Sequence, residues 1–206
     1  MIAIIDYGVG NLFSLCSSLK AIGAEAIVTS DIEKIREADR IILPGVGAFG
    51  DAIKKLNDTG LDKIIIEEAN KGKKLMGICL GMQLLFEKSF EYGEHRGLSL
   101  LKGQVVPMEG RLPRELKIPH IGWNALHFTK SHPLFKYIKE NDCVYFVHSY
   151  YAKDCEESLL ATAEYGYELT AAVVKDNVAG MQFHPEKSGD VGLNILKAFC
   201  EWEDEK

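Results

Sequence analysis

The sequence lacks the residue spacings that mark disulfide-rich, metal-binding and dinucleotide-binding proteins. Its five cysteines are an odd number and form no C-x-x-C pair, which favours reduced thiols over a disulfide framework. No H-E-x-x-H motif occurs, and His127 and His132 have no further ligands near them in the sequence. Gly8 and Gly10 match the first two glycines of a G-x-G-x-x-G fingerprint, but Phe13 occupies the third position. We therefore expect no metal and no cofactor.

The chain also lacks the clustered basic residues that nucleic-acid binding requires. Lys and Arg number 24 against 30 Asp and Glu, giving a formal net charge of −6. The apolar run at residues 1–6 has no basic segment before it and no small-residue cleavage site after it, which favours a strand over a signal peptide. With 47% hydrophobic and 26% charged residues, the composition is typical of soluble globular proteins. We expect a cytoplasmic protein with one domain over residues 1–206 and with no nucleic-acid or membrane partner.

The first half of the chain alternates strand and helix patterns, which predicts an α/β fold with a central, mostly parallel sheet flanked by helices. The predicted strands cover residues 2–6, 26–29, 40–43 and 75–78, and the predicted helices cover 12–22, 32–38, 50–57, 61–71 and 80–87. The second half favours additional antiparallel strands at 143–149, 160–165, 170–175 and 178–183, followed by a helix at 191–202.

Cys79 stands between a predicted strand and a predicted helix, with Gly77 and Gly81 on either side. This arrangement is typical of a nucleophile elbow. Glycines suit such a turn because it demands positive φ or close packing of helix on strand, and the helix N-terminus stabilises a thiolate. A lone cysteine is more often a small buried hydrophobic residue, but the flanking glycines favour a nucleophile.

A thiol nucleophile needs a base, and of the six histidines only His184 has an evident orienting partner. In an extended chain, positions i and i+2 lie on one side, roughly 6.6 Å apart, so Glu186 can reach the imidazole of His184. Pro185 favours extended backbone at His184 and fixes its own φ. Alone, His-Pro-Glu could close a surface strand, but together with the cysteine elbow it predicts a Cys79, His184 and Glu186 triad.

Attack of a thiolate on an amide also requires donors to the developing oxyanion. The backbone N–H of Leu80 follows the nucleophile directly and is the first candidate. The loop after the strand at 40–43 should lie at the same sheet edge as Cys79, because parallel α/β sheets bind ligands at the carboxyl ends of their strands. The N–H groups of Val46 and Gly47 in this loop are the further candidates, although a plain strand-to-helix turn would have the same sequence.

These motifs resemble those of the class I, or triad, glutamine amidotransferases. Residues 77–83 (GICLGMQ) resemble the nucleophile motif of that family and residues 184–186 (HPE) its base and orienter, and the similarity extends over essentially the whole chain. The segments 4–11 (IIDYGVGN), 44–50 (PGVGAFG) and 122–124 (GWN) are most similar to the glutaminase subunits of imidazole glycerol phosphate synthase. The resemblance implies a flavodoxin-like fold, hydrolysis of L-glutamine, and transfer of ammonia to a (β/α)8-barrel cyclase in a heterodimer that serves histidine biosynthesis.

The resemblance also implies roles for residues outside the triad. The positions that match the glutamine pocket of the family are Gly47, Gln83, Glu91, His148, Ser149 and Tyr150. The positions that match its cyclase-facing surface are Asn11, Trp123 and Lys187. Three alternatives remain open at this point: a glutaminase for anthranilate, pyridoxal phosphate or GMP synthesis, a stand-alone cysteine peptidase or redox-sensing protein, and a non-catalytic flavodoxin-like binding module.

Overall fold

The computed structural model of the chain describes residues 1–110, 112–113 and 115–203. Its helices are α1 (Leu12–Ala21), α2 (Ile32–Glu37), α3 (Phe49–Thr59), α4 (Leu61–Asn70), α5 (Leu80–Leu84) and α6 (Gly189–Cys200). Its strands are β1 (Ile2–Ile5), β2 (Ala26–Thr29), β3 (Arg40–Gly45), β4 (Lys74–Cys79), β5 (Phe86–Ser89), β6 (His95–Arg96), β7 (Leu101–Pro107), β8 (His120–Ala125), β9 (His127–Phe128), β10 (Cys143–His148), β11 (Tyr150–Lys153), β12 (Leu159–Glu164), β13 (Glu168–Lys175) and β14 (Val178–Met181).

The largest sheet has eight strands in the order β2-β1-β3-β4-β14-β13-β12-β9. The pairs from β2 to β14 are parallel, and the pairs from β14 to β9 are antiparallel. Two smaller sheets, β10-β8 and β11-β7-β5-β6, are formed by the second half of the chain together with β5 and β6. The predicted α/β class, with a mostly parallel core and added antiparallel strands, is confirmed.

The central sheet separates two hydrophobic cores because alternate residues of each strand face opposite sides. In β1, Ala3 and Ile5 pack with α2, α3 and α4, whereas Ile2 and Ile4 pack with α1 and α6. Leu15 and Leu19 of α1 are buried as its helical spacing predicts, and Cys16 is half-buried beside them. Among the described residues, no helix is long and apolar enough to cross a membrane.

Two predicted segments are wrong in the structure. The helix predicted over residues 80–87 stops at Leu84, because Phe86 begins β5 and is buried against the neighbouring strand β7. The strand predicted over 143–149 is interrupted at Ser149, where the chain leaves its pairing with β8 and joins β7 as β11. The strands β5 to β9 lacked a clear pattern in the sequence because several are only two to four residues long.

The carboxyl ends of four parallel strands meet at one edge of the central sheet. The chain leaves β1 before Tyr7, β3 before Val46, and β14 shortly before His184, and β4 ends at Cys79 itself. This convergence brings segments far apart in sequence to one edge, where open α/β sheets bind their ligands.

Candidate active site

Cys79 lies at the junction of β4 and α5 in a strained backbone conformation. Its φ is 54° and its ψ is −111°, a region that a residue with a side chain rarely adopts. Such strain persists only where the surrounding structure imposes it, and it recurs at functional sites. The strained turn directs the Cys79 side chain toward a pocket, at the N-terminus of α5.

The glycines on either side of Cys79 allow helix α5 to pack closely against the strands β3 and β4. A Cβ atom on Gly81 would lie 1.8 Å from the Leu43 carbonyl oxygen, and one on Gly77 would lie 2.6 Å from the Gly81 carbonyl oxygen. Neither glycine has positive φ, since the left-handed residue of the turn is Cys79 itself. Of the two reasons that the sequence offered for these glycines, close packing is therefore the one that applies.

His184 and Glu186 form a buried hydrogen-bonded pair beside the cysteine. His184 Nδ1 lies 2.7 Å from Glu186 Oε1, and the two side chains are only 2% and 4% exposed. The contact does not arise from extended backbone as predicted, because Glu186 belongs to a short 3₁₀ turn at Pro185–Lys187. Ser188 fixes this turn by donating from Oγ to the His184 carbonyl oxygen at 2.6 Å and by accepting from the Tyr145 N–H at 3.0 Å.

The charges of the site favour a protonated His184. Burial alone would lower the pKa of His184, but the Cys79 thiolate and the Glu186 carboxylate outweigh burial and raise it to about 9. Its Nε2 atom is buried and has no hydrogen-bond partner among the described residues. The Cys79 Sγ atom itself lies 3.9 Å from the Val147 carbonyl oxygen and 3.9 Å from Gln182 Nε2. This arrangement suits an ion pair between a Cys79 thiolate and a His184 imidazolium. The proton on His184 Nε2, which has no hydrogen-bond partner among the described residues, can then be transferred to a bound ligand.

The loop after β3 packs directly on the elbow. Gly45 is paired with Cys79 in the sheet, and a Cβ atom on it would lie 2.9 Å from the Gly81 nitrogen. The next residues, Val46 and Gly47, line the same pocket as Cys79 and Leu80, and Gly47 has a φ of 94°. The residues whose backbone groups were predicted as oxyanion donors therefore line the same pocket as Cys79.

A pocket of about 640 Å³ opens above Cys79. Its lining includes every residue that the sequence assigned to a glutamine pocket, namely Gly47, Gln83, Glu91, His148, Ser149 and Tyr150. His184 and Lys187 line it as well. The pocket is thus assembled from the ends of β3, β4 and β10 and from the loops around Glu91 and His184.

Gln83 and Glu91 are both anchored by backbone groups of other segments. Gln83 Nε2 donates to the Tyr150 carbonyl oxygen at 3.1 Å and to Gln182 Oε1 at 3.0 Å, which leaves its own Oε1 atom to meet a ligand. Glu91 Oε2 accepts from the Phe49 N–H, the first of α3, at 2.6 Å. Burial raises the pKa of Glu91, and the Phe49 N–H and His95 only partly offset this effect.

The three residues assigned to a partner-facing surface have different surroundings. Trp123 on β8 is 55% exposed and contacts the Tyr145 ring edge-on at a centroid distance of 6.0 Å. Lys187 Nζ lies 6.0 Å from the centroid of the same Tyr145 ring, so Trp123 and Lys187 flank one side chain. Asn11 is instead the N-cap of α1, where its Oδ1 accepts from the Ser14 N–H at 3.5 Å, and it does not line the pocket.

Two residues of the site were missed from the sequence. Tyr7 is buried, donates from its hydroxyl to the Pro44 carbonyl oxygen at 2.8 Å, and so supports the loop that holds Val46 and Gly47. Its burial and then the charge of Cys79 raise the pKa of its hydroxyl above the usual range. Gln182 is fully buried between Gln83 and Cys79. Both residues are polar and next to strand ends, which was the only signal in the sequence. Among the described residues, no group of three or more His, Cys, Asp or Glu is arranged to hold a metal ion.

Comparison with known proteins assigns the family. The model of the family described as glutamine amidotransferase class-I matches residues 3–201. The chain belongs to the class-I glutamine amidotransferases. A crystal structure of a glutamine amidotransferase has the same fold, with a TM-score of 0.74 over 97% of this chain and 100% of that chain, at 19% sequence identity.

Curated relatives narrow the position of this amidotransferase within its family. The HisH subunit of imidazole glycerol phosphate synthase from Caldanaerobacter subterraneus is 54% identical, over 98% of this chain and 98% of its own length. The HisH subunit from Wolinella succinogenes is 49% identical, over 98% of this chain and 99% of its own length. This amidotransferase therefore groups with the HisH subunits, which confirms the resemblance inferred from its motifs.

Proposed function

We propose that this chain hydrolyses L-glutamine to glutamate and ammonia as the glutaminase subunit of an imidazole glycerol phosphate synthase. The observation that carries the proposal is the strained Cys79 at the base of the pocket, next to a buried His184 and Glu186 pair. The identity of about 50% to HisH subunits over nearly the whole chain supports the substrate and the pathway. Residues 1–206 act as one glutamine amidotransferase domain in the cytoplasm.

In the proposed mechanism the Cys79 thiolate attacks the γ-carboxamide carbon of glutamine. His184 has by then taken the thiol proton, as its pKa of about 9 favours, and Glu186 holds the imidazolium by accepting from Nδ1. His184 then gives a proton to the departing nitrogen, and ammonia leaves a γ-glutamyl thioester on Cys79. Water, deprotonated by His184, attacks this thioester and releases glutamate.

The negative oxygen of each tetrahedral intermediate needs two donors in the proposed site. The Leu80 N–H at the start of α5 is one, and it has the added support of the helix dipole. The second comes from the peptide between Val46 and Gly47 or from its neighbour. Because Gly47 tolerates rotation of this peptide, its N–H can be withdrawn or supplied, and we propose that the partner subunit controls this step.

The proposed partner is a cyclase subunit with a (β/α)8 barrel, bound as a heterodimer. Ammonia released into neutral water becomes protonated and loses its nucleophilicity, so the product must pass through a closed route to its acceptor. The cyclase uses it to form imidazole glycerol phosphate and aminoimidazole carboxamide ribotide. The exposed Trp123 and the pocket residue Lys187, together with Asn11, are the residues proposed to face it.

The alternatives raised by the sequence are less well supported. Glutaminases for anthranilate, pyridoxal phosphate or GMP synthesis share the fold, but the curated relatives quoted above are HisH subunits. A stand-alone cysteine peptidase or redox protein would not need a pocket lined by Gln83, Glu91 and the segment 148–150. A non-catalytic binding module would not need the strained backbone at Cys79.

Replacement of Cys79 by alanine tests the proposal. The complex of Cys79→Ala with the cyclase should lose glutamine-dependent synthesis and glutamate release, while synthesis from added ammonium salt persists because that chemistry belongs to the cyclase. Cys143→Ala, which removes an exposed free thiol, is the matched control and should retain both activities. Glutamate release by Cys79→Ala at the wild-type rate would refute the assignment.

A further inference from the structure

A hydrogen-bonding network of polar side chains extends from β8 to the glutamine pocket, and two of its members have no part in the mechanism above. His120 Nε2 lies 2.8 Å from Asn124 Oδ1, and His120 Nδ1 lies 3.1 Å from His148 Nε2. His148 Nδ1 lies 2.8 Å from the Tyr150 carbonyl oxygen. His120 is fully buried and His148 is 6% exposed. His120 and Asn124 do not line the pocket, yet they contact a residue that does.

The positions of the ring hydrogens on the two histidines of this network follow from their hydrogen-bond partners. Burial lowers the pKa of His148 to about 3 and also lowers the pKa of His120, so each imidazole is neutral and carries one hydrogen. The Tyr150 carbonyl takes the hydrogen on His148 Nδ1, which leaves His148 Nε2 as an acceptor. A hydrogen bond between the two rings therefore requires the hydrogen of His120 to be on Nδ1.

Asn124 determines where His120 carries its hydrogen. When the Asn124 amide donates to the Glu164 carbonyl oxygen, which is 2.7 Å from Nδ2, its Oδ1 draws the hydrogen of His120 to Nε2. When the amide is turned over, it donates to His120 Nε2 and leaves the hydrogen on Nδ1 for His148, but its Oδ1 then faces the Glu164 carbonyl oxygen and the hydrogen bond to Glu164 is lost. The position of one amide thus decides whether the two histidines are bonded to each other.

At its pocket end, the network holds the glutamine-binding segment 148–150 in place. The Tyr150 carbonyl oxygen accepts from both His148 Nδ1 and Gln83 Nε2, so both of its lone pairs are used. The adjacent Ser149 carbonyl oxygen accepts from the Met108 N–H at 3.0 Å. Gln83 also bonds to Gln182, whose Nε2 lies 3.9 Å from Cys79 Sγ. A shift of His148 would therefore move Tyr150 and disturb its contact with Gln83, and both of these residues line the pocket.

Packing alone does not explain an imidazole at position 120. The ring of His120 is stacked against Tyr165 at a centroid distance of 4.0 Å and against Phe146 at 5.0 Å. A phenyl ring would fill the same space and would avoid the cost of burying two polar nitrogen atoms. What the imidazole adds is its pair of contacts with Asn124 and His148.

We propose that His120 is a positioning residue for glutamine hydrolysis, which orients His148 and thereby fixes the Tyr150 carbonyl and the segment 148–150, with Asn124 selecting the bonded arrangement. The inference rests on the proposed function. It adds a link between β8, the strand of the exposed Trp123, and the substrate pocket. Because neighbouring side chains of a strand point to opposite faces, Asn124 lies on the inner side of the strand whose outer side presents Trp123.

The test compares His120→Phe with His120→Asn in the complex with the cyclase. Phenylalanine keeps the stacked ring and removes both polar contacts, whereas the asparagine amide can replace Nδ1 in the contact with His148. We expect His120→Phe to raise the KM for glutamine by about tenfold, the effect of one lost hydrogen bond, and His120→Asn to restore most of the affinity. Synthesis from ammonium salt should be unchanged in both variants.

Two further variants separate positioning from packing. Tyr165→Leu removes the stacked ring and the hydrogen bond from the Tyr165 hydroxyl to the Lys117 carbonyl oxygen at 2.9 Å, but none of the contacts among Asn124, His120 and His148. It should therefore lower the melting temperature and leave the KM for glutamine unchanged. In His120→Gln, the glutamine amide can contact Asn124 but not His148, so this variant should show the same increase in KM as His120→Phe. It replaces His120→Phe in the test if that variant does not fold. A wild-type KM in His120→Phe or His120→Gln, or an equal KM increase in Tyr165→Leu, would overturn the inference. Absence of glutamine turnover by the wild-type complex would instead overturn the proposed function.

Discussion

In the proposed mechanism, His184 is the residue whose protonation most directly affects the chemistry of the site. Its Nδ1 is committed to Glu186 at 2.7 Å, and its Nε2 is buried without a hydrogen-bond partner among the described residues. With a pKa raised to about 9, the ring is an imidazolium at neutral pH as long as Cys79 is a thiolate. In the proposed thiolate form of the site, the proton that the leaving ammonia requires is already on His184.

This protonation predicts how turnover depends on pH. A raised pKa means that His184 is protonated below about 9 and loses its proton as the pH rises through that value, so glutamate release should fall there. Glu186→Gln removes one cause of the increase in pKa and should shift this decline to lower pH. It should also reduce turnover by roughly 10²-fold or more, as loss of an orienting carboxylate does in other triads.

The control for the pH experiment is Glu140→Gln. Glu140 also lies beside a histidine, 3.4 Å from His127 Nδ1, but this pair is exposed and remote from the pocket lining. Its pH profile should coincide with that of the wild type. If glutamate release by Glu186→Gln fell at the same high pH as that of the wild type, the fall would not be due to deprotonation of His184.

At the scale of single elements, the first half of the chain was more predictable than the second. The helices α1 to α4 have one apolar stripe, and the buried parallel strands are nearly continuous apolar runs, so periodicity located them to within about two residues, whereas α5 is three residues shorter than predicted. The strand β8 contains Gly122 and Asn124 and has a mixed burial pattern, and β6 and β9 have two residues each. Such segments are fixed by pairing with distant partners, which local pattern does not reveal.

The loop after β3 can be tested with a matched pair of glycines. Gly47 and Gly72 have φ values of 94° and 93°, and a Cβ atom added to either would have no neighbouring atom within 4 Å. Alanine at either site should therefore cost a similar free energy of unfolding, about 1–2 kcal/mol, because only the backbone is strained. Gly72 lies between α4 and β4, away from the pocket, whereas Gly47 lines it.

The two substitutions should differ in their effect on turnover. Gly47→Ala should reduce glutamate release at least tenfold, since loss of a single oxyanion donor costs roughly 10²-fold or more, and Gly72→Ala should leave it unchanged. Denaturant unfolding would establish that the two stabilities match, and glutamate release with the liganded cyclase would give the rates. Equal turnover in the two variants would exclude a role for the Val46 and Gly47 loop in stabilising the oxyanion.

For the whole molecule, the sequence located the residues that belong to short motifs and missed those that meet only in the folded chain. Cys79, His184 and Glu186 could be predicted as a candidate triad because a glycine-flanked turn and a His-Pro-Glu segment require particular neighbours in sequence. Tyr7 and Gln182 approach Cys79 only because β1 and β14 end at the same sheet edge as β4. No local pattern states that Tyr7 will support the Pro44 carbonyl, or that His120 will contact His148 across β8 and β10.

The outer surface of β8 has the properties of a docking site next to the pocket. Ile118, Ile121 and Trp123, which we call the apolar patch, are 41%, 57% and 55% exposed. Ile118 also lines the pocket, and Trp123 is connected to the pocket residue Lys187 through Tyr145. Ile121 and Trp123 share one face of β8 because they are two residues apart in the strand. Exposed apolar side chains grouped in this way mark protein interfaces, and a tryptophan buried on binding commonly supplies much of the binding energy.

Trp123→Ala should therefore weaken binding of the cyclase without destabilising the isolated subunit. Loss of a central aromatic side chain costs about 2 kcal/mol or more, which corresponds to roughly a 30-fold increase in Kd. Tyr137→Ala is the matched control, because Tyr137 is 42% exposed but packs with Lys136 and with Lys197 of α6, apart from the pocket lining. Titration of each variant with the cyclase would give the Kd values. If Trp123→Ala bound as tightly as Tyr137→Ala, the partner would have to dock on another face, and the path of ammonia would have to start from a different side of the pocket.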